Sequence, residues 1–438
     1  MMLSKKEKVA LIIFIIFVAV CELYHVAIDT NPPTVLRMGY IAVYLFYAVL
    51  YPNLIPTFTA VNLIVERFSC SFGEFLPNTL IFHIAVLLYC GLVTKETSLF
   101  RSVNNSNKSC LPFFVILYVY AIFSLFLHVN ISYDFSFVIN GSFLIAYLYC
   151  LSKLNDKHIK SILTYSIIAM AIVCFVGLLN YDRLVSDYQT SLGSVERIEW
   201  KDANYFSFCI AIYILFSTFF ITHTNSKKYL WSLYIACLLM ATCMVMLISR
   251  GSIIALCIAL LYYFRQRLLS LKSVAVLTVI AGIVLLFYYV GLLDGLIMRF
   301  MSEDLSSGSG RTEIWETGIK TFFAKDNWTI LFGAGEGQAS KMVFLDGKYW
   351  SPHNNYLEML YNYGIIGLIL FIVWLIAAFR LSKSREARSV LLLIMINSFT
   401  IVPFTFVTPI WFIMALLLVW DRRLINNMLY ETPKPVYN

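Results

Sequence analysis

"SPHNNYLEMLYNYGIIGLILFIVWLIAAFR", residues 351–380, decides how the rest of the chain is read. Beyond Tyr356 it is apolar for about 20 residues, which at about 1.5 Å each matches ~30 Å of bilayer hydrocarbon. Directly in front stand His353, Asn354 and Asn355, side chains that hydrocarbon does not favour unless they have a function there. The stretch predicts a spanning helix that begins at Asn354 or Asn355 and carries polar chemistry at its water edge.

The same pattern repeats along the chain. Of 438 residues, 60% are hydrophobic and only 13% charged, and the mean hydropathy is +0.78. That is too much apolar surface for one water-soluble core. Runs long enough to span fall at 9–28, 35–52, 77–94, 111–129, 133–152, 160–180, 204–223, 229–248, 273–291 and 355–379, with shorter ones at 53–66 and 251–264. A final run, 389–420, is too long for one span. Pro403 and Pro409 divide it into two joined by a tight turn. The expected fold is an all-α polytopic membrane protein of about 12–14 transmembrane helices.

Lysine and arginine set the expected orientation, because positively charged loops stay cytoplasmic. With both termini inside, the inner segments collect 21 of the 33 basic residues, from Lys5, Lys6 and Lys8 through Arg380, Lys383, Arg385 and Arg388 to Arg422, Arg423 and Lys434. The net charge of +8 therefore reports topology and indicates no nucleic-acid partner. The N-terminal "KKEK" and the apolar run after it lack a small-x-small cleavage pattern and read as a first transmembrane helix. Ten cysteines stand singly with no C-x-x-C, so neither a disulfide framework nor a zinc site is expected.

This divides the chain into N-terminal transmembrane helices (1–180), an outer loop (181–203), central transmembrane helices (204–291), a long outer loop (292–353), and C-terminal helices with a cytoplasmic tail (354–438). Long loops in a membrane bundle point to function. Neither is net basic: the first sets Arg183, Arg197 and Lys201 against five acids, the second six basic residues against eight acids. Within the second, Ile314, Gly318, Ile319, Phe322 and Phe323 recur at helical spacing and predict an amphipathic helix at the outer membrane surface.

Individual arginines carry more information than the totals. Arg250, in "ISRGS", lies between two apolar runs at the outer end of both, with Gly251 to let the chain turn. A guanidinium there is costly unless it binds something or snorkels to the headgroups. Arg311 follows "SSGSG" at the start of the amphipathic segment, and Arg197 precedes Asp202 and Asn204, two plausible helix caps. "GAGEG", 333–337, lacks the lysine and Ser/Thr of a phosphate loop and reads as a turn. His25, His83, His128, His158 and His223 fall singly in or at the ends of spans, leaving His353 as the one histidine in a long outer loop.

Taken in order, "RIEWKDANYFS" (197–207), "SRG" (249–251), "GSGRTEIW" (308–315), "LFGAGEG" (331–337) and "PHNNYLEMLYNYGIIG" (352–367) resemble the O-antigen ligase/polymerase superfamily. Ala203 stands where many members have proline, and before residue 197 only the pattern of spans agrees. The resemblance implies a GT-C-like glycosyltransferase without metal or cofactor. It would take a glycan from a polyprenyl-diphosphate donor to a glycan acceptor at the outer face of the bacterial cytoplasmic membrane.

His353, Arg250 and Arg311 are then the expected catalytic residues. Arg197, Asn204, Asn354, Trp315 and Tyr356 are expected to bind the diphosphate or glycan. A diphosphate leaving group needs cations more than a general acid, and guanidinium forks supply them. A histidine titrating near neutrality suits the attacking hydroxyl. Polymerase is the preferred reading and ligase the alternative, with a chain-length regulator and a flippase as expected partners. A transporter or flippase would place charges near the membrane midplane in repeated halves. Here the candidates crowd onto one face, with no visible repeat.

Overall fold

Hydrophobic length turns into helices wherever the chain can be followed. The computed structural model describes residues 3–28, 34–68, 110–128, 136–190, 193–198, 202–224, 226–265, 293–301, 311–345, 347–406 and 408–423, with isolated positions from 278 to 291. The N-terminal part forms α1 (Lys5–Ile28), α2 (Thr34–Leu50), α3 (Ile55–Phe68), α4 (Leu111–Leu127), α5 (Ser136–Lys153) and α6 (Asp156–Leu179). A one-turn α7 (Tyr181–Leu184) leads into the hairpin β1 (Val185–Thr190) and β2 (Gly193–Ile198). Next come α8 (Ala203–His223), α9 (Lys227–Met246), α10 (Arg250–Phe264) and α11 (Asp294–Met301).

The rest of the second long loop holds α12 (Arg311–Phe323), α13 (Asn327–Phe332) and the short hairpin β3 (Val343–Leu345) and β4 (Lys348–Trp350). The chain closes with α14 (Asn355–Leu381), α15 (Arg385–Asn397), α16 (Pro403–Phe406) and α17 (Thr408–Arg423). The span expected at 77–94 lies outside the described residues, as does most of 273–291.

Among the described residues, α5, α6, α8, α9 and α14 are long and apolar enough to cross a membrane. Shorter apolar helices fill in between them. The molecule is thus an all-α polytopic membrane protein with small hairpins in its loops. Segment 53–66 is a short buried helix: Leu54, Thr57, Phe58, Thr59 and Val61 are all fully buried, and α3 packs on α6. Thr59 survives there by donating its hydroxyl to the Ile55 carbonyl at 2.8 Å. The run 389–420 does break at its prolines, with Pro403 opening α16 and Pro409 in the first turn of α17, where a missing amide proton matters least. Trp374 and Trp411 stack at 6.1 Å beside Phe404, in the core that joins α14 to α17.

Four expectations are refined or corrected. The apolar face of α12 is divided: Ile314, Gly318 and Phe322 are buried against the protein, while Ile319 and Phe323 stay exposed. Phe322 joins Ala339, Met342, Leu360 and Tyr361 in a small core separate from that of the bundle. Helical spacing reveals an apolar face but not which apolar surface covers it. Gly251 does not turn the chain. It lies inside the first turn of α10, where a Cβ would run into Thr400, and the positive φ falls instead on Ile248, at 51°. Cys150 is disulfide-bonded, which single cysteines without a C-x-x-C pattern did not lead one to expect.

The fourth correction concerns the segment quoted first. Gly364 inside α14 has φ 70° and ψ −173°, so the helix is in two pieces. The carbonyls freed at the break are accounted for. Tyr361 O accepts from Ala334 N at 2.9 Å, Asn362 O from Gly335 N at 3.1 Å, and Tyr363 O from the Tyr120 hydroxyl at 2.8 Å. A Cβ on Gly364 would collide with the Leu331 carbonyl, and one on Gly333 with the backbone of Asn362, so both glycines are required by close approach. The upper piece, from Asn355 to Tyr363, is shared between the cores, giving Leu360 and Tyr361 to the small one and Met359 and Tyr363 to that of the bundle.

Candidate functional site

Four helices begin at the same end of the bundle. Asp202 caps α8, accepting from Asn204 N at 2.9 Å and Tyr205 N at 3.3 Å. Ser249 stands at the cap of α10, and its hydroxyl donates to Asn204 Oδ1 at 3.2 Å, so the starts of α8 and α10 touch. Asn354 caps α14, accepting from Tyr356 N at 3.0 Å and Leu357 N at 3.2 Å. Asn355 N donates to Ser398 O at 2.8 Å. Thr400, two residues on, abuts Gly251, which brings α14 beside α10. The fourth helix, α12, starts at Arg311 and is held by Trp315 Nε1, which donates to Pro352 O at 2.7 Å.

Each helix start carries the positive end of a dipole, favourable to an anion by about 0.3–1 kcal/mol apiece where water has access, although the first amides of α8 and α14 already bond their caps. Arg250 and Arg311 are the first residues of α10 and α12, so fixed cations stand where the partial positive charges lie. His353 precedes the cap of α14. Its side chain is exposed, but the protein packed around it lowers its pKa below the ordinary histidine value, as does the nearby Arg311 charge, while Asp202 opposes the shift. The imidazole is therefore neutral, and able to accept a proton, in neutral water.

His353 has φ 44° and Ile248 φ 51°, the two non-glycine residues with positive φ among those described. Both stand just before a helix of this cluster. Such conformations cost on the order of 1–3 kcal/mol and gather at functional sites.

The structure brings His353, Arg311, Arg250, Asn204, Asn354, Trp315 and Tyr356 to one end, but it sorts them by task. Asn204 lies inside α8 rather than capping it and accepts from Ser249. Tyr356 donates its hydroxyl to Met395 O at 2.9 Å and lays its ring 4.5 Å from Phe399, so it holds α14 against α15. Trp315 and Asn354 likewise use their polar groups on the frame. Arg197 is in β2, paired with Ser186 across the hairpin.

Sequence reasoning missed Glu336. It is 1% exposed and accepts from Phe137 N at 2.6 Å and from the Tyr363 hydroxyl at 2.7 Å. This carboxylate ties "GAGEG" to the start of α5 and to the break in α14. Its only signal was an acidic residue among glycines.

A polytopic helical membrane protein with several helix starts and two arginines gathered at one end is the class this geometry defines. Residues 235–372 match the family model described as O-antigen ligase, which supports the O-antigen ligase/polymerase superfamily for this chain. Arg250, Arg311, His353 and Glu336 fall inside the matched stretch, whereas Arg197 and Asn204 precede it. No curated protein matches the chain.

Proposed function

We propose that the chain is a GT-C-type, metal-independent glycosyltransferase working at the outer face of the bacterial cytoplasmic membrane, with both termini cytoplasmic. It joins a polyprenyl-diphosphate-linked glycan to a sugar hydroxyl of a second lipid-linked repeat unit, as a polymerase of surface polysaccharide. The observation that carries this reading is the meeting of four helix starts with Arg250, Arg311 and a neutral His353.

In the reaction, the acceptor hydroxyl oxygen attacks the anomeric carbon while the bond from that carbon to the diphosphate oxygen breaks. Polyprenyl diphosphate leaves as an anion, and the hydroxyl proton passes to a ring nitrogen of His353. Arg250 and Arg311 hold the diphosphate and neutralise the charge that grows on it. The helix starts add fixed dipoles that need no reorganisation. Asp202, near enough to raise the affinity of His353 for a proton, stabilises the imidazolium formed.

The ligase reading, transfer to lipid A core or a protein, has the wording of the family description in its favour. Deleting the gene and separating the surface polysaccharide by electrophoresis distinguishes the two. Single repeat units on their normal carrier are the outcome for a polymerase. Long lipid-linked chains that never reach an acceptor reverse the assignment, and unchanged polysaccharide removes both.

A further inference from the structure

A site whose cations hold an anionic donor head needs a separate place for the uncharged sugar that attacks it. We propose that the cavity between β2, the C-terminal end of α9 and the start of α11 is the acceptor subsite, seating one hydroxyl-bearing sugar ring. This inference rests on the transferase reading above.

The cavity has a volume of about 280 Å³, the small end of the range for ligand sites and too little for a chain of sugars. Tyr181, Glu196, Met246, Ile248, Asp294 and Met298 are among its walls. The walls are near neighbours in sequence of the candidate-site residues. Glu196 precedes Arg197 and the Asp202 cap, Ile248 with its positive φ precedes Arg250, and α11 comes before Arg311 in the chain.

Charge separates this cavity from the donor end. Its ionisable walls among the described residues are the acids Glu196 and Asp294 with Tyr181, and none is basic. A diphosphate is repelled there, whereas sugar hydroxyls donate well to carboxylates. The Tyr181 hydroxyl donates to Glu196 Oε2 at 2.9 Å, fixing one carboxylate and leaving an aromatic surface at the rim. Tyr181, Met246 and Met298 supply the apolar contact that the C–H face of a sugar takes. The acidic pair and the arginines thus divide the two substrates by charge.

The test uses the full-length protein carrying Met298→Cys, labelled with a membrane-impermeant maleimide, with the unsubstituted chain as background. The sugar probe is the lipid-free repeat-unit oligosaccharide released by mild acid from the producing strain, and the anion probe is inorganic diphosphate. Labelling should slow about tenfold at an oligosaccharide concentration ten times its dissociation constant, should not respond to diphosphate, and should lose its protection in Glu196→Gln with Asp294→Asn. Slowing by diphosphate alone, or by neither probe, overturns the proposal. The readout is binding, so the two readings fail separately. Protection without any glycan transfer sinks the transferase reading, and transfer without protection sinks the subsite alone.

Discussion

The two ends of the bundle use the same residue types in opposite ways. At the end where α6 begins and α8 and α14 finish, histidines and lysines are closed onto carboxylates. Glu7 lies 3.4 Å from Lys157 and 3.6 Å from His158, and Glu386 lies 3.8 Å from His223. Asp421 accepts from the amides of Lys383 at 2.7 Å and Ser384 at 2.6 Å, bracing the turn between α14 and α15. At the other end, the protein packed around His353 and the nearby Arg311 charge lower its pKa, with Asp202 opposing them. The histidines near carboxylates join helices, whereas the role proposed for His353 is to take a proton.

The largest effect expected from breaking this contrast is at the arginines. Arg250→Lys and Arg311→Lys keep the charge but lose the fork, and each should lower transfer by about 10²–10³-fold, on the order of 3–4 kcal/mol. Turnover with purified lipid-linked donor measures it. Full activity in both variants removes them from the site.

His353→Ala comes next, with an expected loss of about 100-fold in kcat at normal abundance in the membrane. The pH profile adds a sign. The neutral imidazole is the active form and its pKa is lowered, so activity should hold at neutral pH and decline as pH falls below about 6.5, the ordinary histidine value. A limb that rises towards acid would exclude the proton-accepting role.

Gly364→Ala sharpens the comparison through stability. A strained φ at the break should cost about 1–3 kcal/mol, with the collision against Leu331 in addition, read as a lower melting temperature in detergent. At the opposite end, Glu386→Gln removes a carboxylate oxygen 3.8 Å from the His223 ring, remote from the proposed reaction. It should lower the melting temperature and leave kcat unchanged. Smallest of all, EDTA should leave turnover as it was. Loss restored by magnesium or manganese would end the metal-independent mechanism.

Much of the bundle could be read from hydrophobic length alone, because the cost of exposing backbone in lipid enforces helices wherever apolar runs persist. Arg250 and His353 stand out for a related reason, as polar groups at a helix start beside apolar sequence, whereas Arg311 follows a run of serines and glycines. The break at Gly364 could not be read this way, since a glycine inside "YGIIG" looks like a packing position. The amides that make the break tolerable belong to Ala334 and Gly335, far back in the chain. Asn204, Trp315 and Tyr356 lie at the same end of the molecule as Arg250, Arg311 and His353, but their hydrogen bonds to Ser249, Pro352 and Met395 depend on which helices lie side by side. Helical periodicity carries no record of that.

The same break bears on how the protein is made. Synthesis runs from the N-terminus, so "GAGEG" is present before the carbonyls of Tyr361 and Asn362 exist to receive its amides. Glu336 can meet Phe137 N on α5 as soon as both are made, but its second partner, the Tyr363 hydroxyl, arrives only with α14. Until then the loop's amides have only water to bond with. The lobe bearing Arg311 and His353 therefore matures late in biogenesis, when the insertion of one broken helix supplies its missing acceptors.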